Sequence, residues 1–228
     1  MSETKTTGMI CVPIVENNVD DAIKQMEKSA KIADIVEFRA DFIEDIDEEK
    51  LEQVIKQRKI PIIVTIKMDG EGGQFKGTEQ ERLKLLKKAI ELKAEYVDID
   101  HDSKSAEELI KNKNKTKIIA SFHDFKKTDE TAVKALEKIV VLEADVAKIV
   151  TYANDITDNV RIFEIIEAAK NAHIEIIGLC MGELGKISRV LSIKLGALLT
   201  FASSETGKES APGQLTVEEL KKALEALK

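Results

Sequence analysis

Residues 117–150, KIIASFHDFKKTDETAVKALEKIVVLEADVAKIV, decide the fold. An apolar run at 117–121 is followed by a polar turn, a helical pattern near 128–142 and a second apolar run at 145–150. That is a strand–helix–strand unit, and both runs are apolar throughout instead of alternating. Such runs suit a parallel sheet covered by helices. The same alternation spreads outward in both directions. Further apolar runs stand at 9–14, 34–38, 60–66, 96–99, 174–179 and 197–201. Helical patterns lie near 18–32, 47–57, 78–93, 104–112, 157–171, 184–194 and 216–227. Ala22, Met26, Ala30 and Ile32 share one helical face, as do Leu83, Leu86 and Ile90. Thr78 with Glu81, and Thr216 with Glu219, spell capping boxes at two helix starts. Eight strand–helix pairs predict a single (β/α)8 barrel over residues 1–228, with no second domain. An open doubly wound sheet is the competing architecture. Its dinucleotide version needs a Gly-rich turn after the first strand, and Val12-Pro13-Ile14-Val15-Glu16-Asn17 has none.

Composition narrows the class. Hydrophobic residues make up 43% of the 228, enough for a core, which excludes wholesale disorder. A net charge of −7, no Trp and 4% aromatics argue against nucleic acid as a partner. Cys11 and Cys180 cannot build a disulfide framework, and three scattered histidines show no metal-ligand spacing. The start of the chain is polar, without the apolar segment of a signal peptide, and no run approaches the length of a membrane span. The expectation is a soluble, cytoplasmic protein without a metal and without a membrane partner.

In a barrel of this kind the active site lies at the C-terminal ends of the strands. Glu37, Arg39 and Asp41 fall on one face there by period-two geometry. Lys67, Asp98, Asp100, His123 and Lys148 also stand at or near strand ends. Lys148 lies between Val146 and Ile149-Val150, where an ammonium is costly to desolvate. Burial and cationic neighbours would lower its pKa and leave a neutral amine able to attack a carbonyl. His123, flanked by Phe122 and Phe125 on the adjacent strand, supplies a base that titrates near neutrality. A structural ion pair and a satisfied structural histidine are the plainer readings of the same residues.

Together these residues resemble a known family. Glu37-x-Arg39-x-Asp41, Lys67-x-x-x-Glu71-Gly72-Gly73, Ser121-x-His123-Asp124-Phe125, Ala144-Asp145-x-x-Lys148, Ile187-Ser188-Arg189 and Ser210-Ala211-Pro212-Gly213-Gln214 are similar to the motifs of type I 3-dehydroquinate dehydratases, in the same order and across the whole chain. The resemblance implies a metal-free, cofactor-free barrel, commonly a homodimer. It implies dehydration of 3-dehydroquinate, a small carboxylate, to 3-dehydroshikimate in the shikimate pathway. By that resemblance Lys148 forms an imine with the substrate ketone, His123 moves the protons, and Glu71 hydrogen-bonds and orients His123. Arg189 binds the substrate carboxylate, Ser210 and Gln214 close over it from a lid at 203–214, and Glu37 and Arg39 hold ring hydroxyls. Lys67 joins the binding set, standing where familiar members carry arginine, although a point ammonium cannot reproduce a planar fork. Asp100 stands where a glutamate is common.

Two other classes remain open from the residues alone. One is an imine-forming aldolase acting on sugar phosphates, with Met181-Gly182-Glu183-Leu184-Gly185 as a phosphate-binding turn. The other is a barrel that binds a small acid without catalysis.

Overall fold

The computed structural model describes residues 8–227. Residues 1–7 and Lys228, both part of the expected 1–228 domain, lie outside the described residues. Eight strands form one parallel sheet: β1 (Met9–Ile14), β2 (Ile35–Arg39), β3 (Ile62–Thr65), β4 (Tyr96–Asp100), β5 (Lys117–His123), β6 (Val146–Tyr152), β7 (Glu175–Met181) and β8 (Leu199–Phe201). Their order is β7-β6-β5-β4-β3-β2-β1-β8. The Leu198 N–H donates to Ile176 O at 2.8 Å across the β7–β8 seam, which brings the two edges together. The result is the (β/α)8 barrel that the alternation predicts.

Helices follow the strands in turn: α1 (Val19–Ser29), α2 (Glu48–Lys56), α3 (Glu79–Glu91), α4 (Ala106–Lys111), α5 (Glu130–Val141), α6 (Asp158–Asn171), α7 (Lys186–Leu191) and α8 (Val217–Ala226). Their starts are fixed by side chains that accept otherwise unpaired N–H groups. Asn18, Asp47 and Asp129 each cap a helix this way. Both expected capping boxes form, Thr78 with Glu81 and Thr216 with Glu219. The expected helix over 184–194 is shorter. A 3-10 turn at Glu183–Gly185 precedes α7, because the chain must first double back from β7.

The sheet has two faces and two cores. Val12, Val36, Val64, Val97 and Ile118 point outward and pack under the helices. Cys11, Ile35, Ile63, Ile119, Val146, Ile177 and Leu199 pack inside the barrel. Period-two geometry then places the residue two positions further along each strand on the same inner face, one layer higher. That next position is Glu37 after Ile35, Thr65 after Ile63, Ser121 after Ile119, and Lys148 after Val146. An apolar floor thus carries a polar storey at the C-terminal end. Three strands run further than their apolar stretches suggest. Strand β5 continues to His123 because His123 stays in register with Val150 of β6, and β6 and β7 continue to Tyr152 and Met181 as a pair. The polar side chains tolerate this because they face the mouth of the barrel.

Ile63 is fully buried in the inner core. Replacing it, as Ile63→Ala, should cost about 2–5 kcal/mol of stability. Urea unfolding read by circular dichroism would measure it, and a loss below about 1 kcal/mol would mean that the inner floor collapses to fill the gap.

Candidate active site

Nine of the side chains singled out in the sequence line one cavity at the mouth of the barrel: Glu37, Arg39, Lys67, Glu71, His123, Lys148, Arg189, Ser210 and Gln214, while Asp41, Asp98 and Asp100 do not border it. Thr65, Gly72, Phe125, Val150, Leu179, Met181, Phe201 and Ala211 complete its wall.

Lys148 reaches up from β6 and is only 5% exposed. Its Nζ donates to Asp98 Oδ2 at 2.9 Å and to Glu37 Oε1 at 3.1 Å, and lies 4.8 Å from the centre of the Phe201 ring. Glu37 Oε1 also accepts from Thr65 Oγ1 at 2.9 Å. These contacts correct the expectation of a neutral resting amine. Burial does push Lys148 down, but the charges of Asp98 and Glu37, with the hydrogen bonds to them, outweigh it and hold the ammonium above its ordinary value. The sequence places no carboxylate next to Lys148; the barrel brings two from β2 and β4.

Asp98 is the functional residue that the motif reading passed over. It is fully buried, and beyond Lys148 it takes a second ammonium, Lys67 Nζ, 2.9 Å from Oδ1. Ser121 Oγ donates to the same oxygen at 2.8 Å. Although burial opposes ionisation, Lys148 and Lys67 drive the Asp98 pKa well below the carboxylate range. The available signal was the one that exposed Lys148: a charged residue between Val97 and Ile99 in an apolar strand.

His123, at the end of β5, responds in the opposite sense. Burial first, then the charges of Lys67 and Lys148, push its pKa well below 6.5, so the imidazole is neutral around pH 7. Phe125 stacks on it, ring centres 5.8 Å apart and nearly parallel. Phe125 itself leans on Gly72, where a Cβ would come within 2.5 Å of the ring. The expected hydrogen bond from Glu71 to His123 is not formed here. Glu71 Oε2 accepts from Arg82 Nη1 at 2.6 Å and from Met68 N at 3.2 Å, and His123 Nδ1 has no hydrogen-bond partner. Arg82, buried on α3, was not foreseen, because its register with the loop 69–73 depends on how α3 docks.

The cationic residues divide into committed and free. Arg39 grips Asp41 with two parallel hydrogen bonds, Nε to Oδ1 at 2.9 Å and Nη2 to Oδ2 at 2.7 Å. Arg189, on α7, is buried, with no acidic partner among the described residues. Its Nη2 donates only to Pro212 O at 3.2 Å, and Nε has no partner. Burial pulls its pKa down to about 10, the mark of a guanidinium held without a counter-ion. Beside it the 203–214 loop is seated. The Gly182 N–H donates to Pro212 O at 3.0 Å, and Ser210 N donates to Gln214 Oε1 at 2.8 Å, while Gln214 Nε2 stays unpartnered. Gly213 adopts φ +72°, and a Cβ there would stand 2.1 Å from Gly182 O, so this contact requires glycine. Three buried polar atoms without protein partners, on His123, Arg189 and Gln214, therefore line one cavity. The turn at 182–185 is different. Its Gly182 and Gly185 N–H groups are spent on Pro212 O and Gly182 O, so neither is free for a phosphate.

A parallel barrel with a buried lysine between carboxylates, a neutral histidine and an unpaired arginine at its mouth has the parts that an imine-forming barrel enzyme uses. The comparisons narrow that class. The family model for type I 3-dehydroquinase matches residues 10–228. The chain is 46% identical to the 3-dehydroquinate dehydratase of Methanocaldococcus jannaschii over 219 residues, 93% of this chain and 96% of that one. The crystal structure of 3-dehydroquinate dehydratase from Geobacillus kaustophilus superposes with a TM-score of 0.89 at 26% identity, over 96% of this chain and 91% of that one. The type I enzyme of Clostridium difficile, solved with covalently modified comenic acid, gives 0.87 at 28% identity, over 97% and 92%. The chain belongs to the type I 3-dehydroquinase family.

Because His123 is held below its ordinary value, the folded protein carries fewer protons there than the unfolded chain once the pH falls through about 6.5. This group therefore costs stability on the acid side, increasingly so as the pH drops below that value. Nuclear magnetic resonance titration of the histidine ring protons should show one imidazole still neutral at pH 6. If all three titrate at or above 6.5, the desolvated site described above is wrong.

Proposed function

We propose that this cavity carries the reaction of the family, with Lys148 as the imine-forming residue and His123 as the group that moves protons. The chain is a lyase that removes water from 3-dehydroquinate to give 3-dehydroshikimate, a step of the shikimate pathway, through a lysine Schiff base. One observation carries the residue assignment. Lys148 Nζ sits between Asp98 and Glu37 in the cavity that also holds His123 and the unpaired Arg189.

The substrate enters as a monoanion. Its carboxylate pairs with Arg189, whose fork has no competing acid, and the lid residues Ser210 and Gln214 close over it. Arg39 is oriented by Asp41, and with Glu37 it faces the ring hydroxyls. The resting Lys148 is an ammonium, so it must lose a proton before it attacks. Glu37 Oε1 and Asp98 Oδ2 are in reach to accept that proton. Attack on the C3 ketone and loss of water give an iminium. The new cation lies where the ammonium lay, so the same two carboxylates stabilise it, and it draws electrons from the neighbouring carbon. Neutral His123 takes the C2 proton and leaves an enamine. The imidazolium then protonates the departing C1 hydroxyl, and water releases the product from Lys148. Glu71, fixed at Oε2 by Arg82, has Oε1 to offer the imidazolium as it forms. We take the working unit to be a homodimer, supported by the family resemblance, and place its work in the cytoplasm as an expectation from the polar sequence.

Borohydride trapping tests the assignment. Incubation with 3-dehydroquinate and sodium borohydride should leave a stable adduct on Lys148, seen by intact mass and peptide mapping. Its rate should climb with pH across the alkaline range, because the raised Lys148 pKa keeps the amine protonated at neutrality. Product formation without any adduct would sink the lysine mechanism. Loss of the Arg189 guanidinium, as Arg189→Ala, should raise KM by about 10–100-fold, since a charged hydrogen bond contributes roughly 1.5–3 kcal/mol. An unchanged KM would move the carboxylate site elsewhere.

A further inference from the structure

Lys67 has a place in this site that substrate binding does not explain. It follows β3 and is 3% exposed. Its Nζ lies 2.9 Å from Asp98 Oδ1 and also donates to Ser121 Oγ, so two of its three N–H bonds are spent inside the protein. Ser121 passes its own hydrogen bond to the same Asp98 oxygen. The other Asp98 oxygen, Oδ2, holds Lys148. One carboxylate on β4 is thus shared by two ammonium groups, one at each oxygen.

We propose that Lys67 is a positioning residue for the dehydration: it clamps Asp98 in line with Lys148 and, as a second cation on that carboxylate, weakens its hold on the Lys148 proton. The inference rests on the reading of Lys148 as the imine-forming residue. Its physics is pairwise. Lys148 is stabilised as an ammonium by Asp98 and Glu37, and attack requires the free amine. A neighbouring positive charge disfavours a second one, and a carboxylate already bonded to one ammonium attracts another less. Both effects of Lys67 act in the same direction. The remaining charged and titratable groups around Lys148 do not supply this effect. Glu37 and Asp100 are acidic, Arg39 is neutralised by Asp41, Cys11 is a buried thiol pushed up by its surroundings, and His123 is neutral. Arg189 has no acidic partner among the described residues, and the substrate carboxylate neutralises it on binding. Lys67 also contributes to holding His123 neutral, so one side chain biases both partners toward the form that reacts.

The test compares Lys67→Met and Lys67→Gln, which remove the charge, with Lys67→Arg, which keeps it. Gln retains an amide donor for Asp98 if Met leaves that carboxylate too poorly satisfied to fold, and thermal melts followed by circular dichroism verify folding of each. The readout is the rate of borohydride trapping on Lys148 against pH, with kcat and KM measured alongside. The neutral variants should shift the trapping profile up by about one pH unit, which is a roughly tenfold slower rate at pH 7. The acid limb of kcat should move up with it, KM should change less than kcat, and Lys67→Arg should restore the parent profile. Superimposable profiles for the neutral variants would overturn the proposal while leaving the imine intact. So would a rise in KM alone, which is the signature of a substrate contact. An adduct that maps to Lys67 in the unaltered protein would overturn it too. No adduct at all in the unaltered protein would instead overturn the imine reading, and this inference with it.

Discussion

Asp98 is the point on which the site depends. A carboxylate with no solvent exposure is tolerated only if its charge is answered, and here it is answered twice, by Lys67 and Lys148. Glu37 answers Lys148 in turn, and Thr65 and Ser121 satisfy remaining lone pairs. Two ammonium groups and two carboxylates therefore balance inside the barrel. No one element could assemble them. They come from β2, β4 and β6 and from the segment after β3, and only a closed parallel sheet turns these strand ends toward one axis.

Balance in the cluster makes the rest of the electrostatics simple. With the four buried charges matched and Arg39 paired to Asp41, Arg189 is left as the uncompensated cation on the cavity wall. A site with one spare positive charge selects a monoanion, even in a chain whose net charge is −7. The same cluster prefers a cation at Lys148 Nζ whether that cation is an ammonium or an iminium. In the proposed mechanism it therefore resists the first step, loss of the proton, and assists the later ones, where the positive charge must persist while the neighbouring carbon is deprotonated. His123 stays neutral within the positive field of the two lysines and so is ready as a base without help from the pH.

Much of this was legible beforehand, for identifiable reasons. The barrel was readable because eight apolar runs without alternation, each followed by a helical pattern, have few other ways to bury themselves. Lys148 and His123 stood out because polar groups in apolar strands are costly and need a purpose. The Ser210–Gln214 segment and Arg189 were recognisable as motifs, and the structure places them on one wall. What escaped were contacts between residues distant in sequence. Glu71 meets Arg82 instead of His123 because α3 docks its buried arginine under the loop at 69–73. Lys148 is protonated because carboxylates 50 and 111 residues away fold against it. Asp98 carried the same local signal as Lys148 but matched no motif under consideration, so its importance appeared only with its partners.

Local patterns along the chain set its periodicity, the two capping-box helix starts, the parallel barrel and the identity of the side chains at its mouth. The patterns are which residues are apolar, at what spacing, and which caps precede them. The tertiary structure alone decided the protonation of those side chains, which charges are paired and which are spare, and that Lys67 turns inward to Asp98. Such properties depend on distances of about 3 Å between atoms on different strands, and electrostatic energy in a desolvated interior changes steeply over that range. A linear pattern encodes which groups are present, but their separation is set only when the sheet closes.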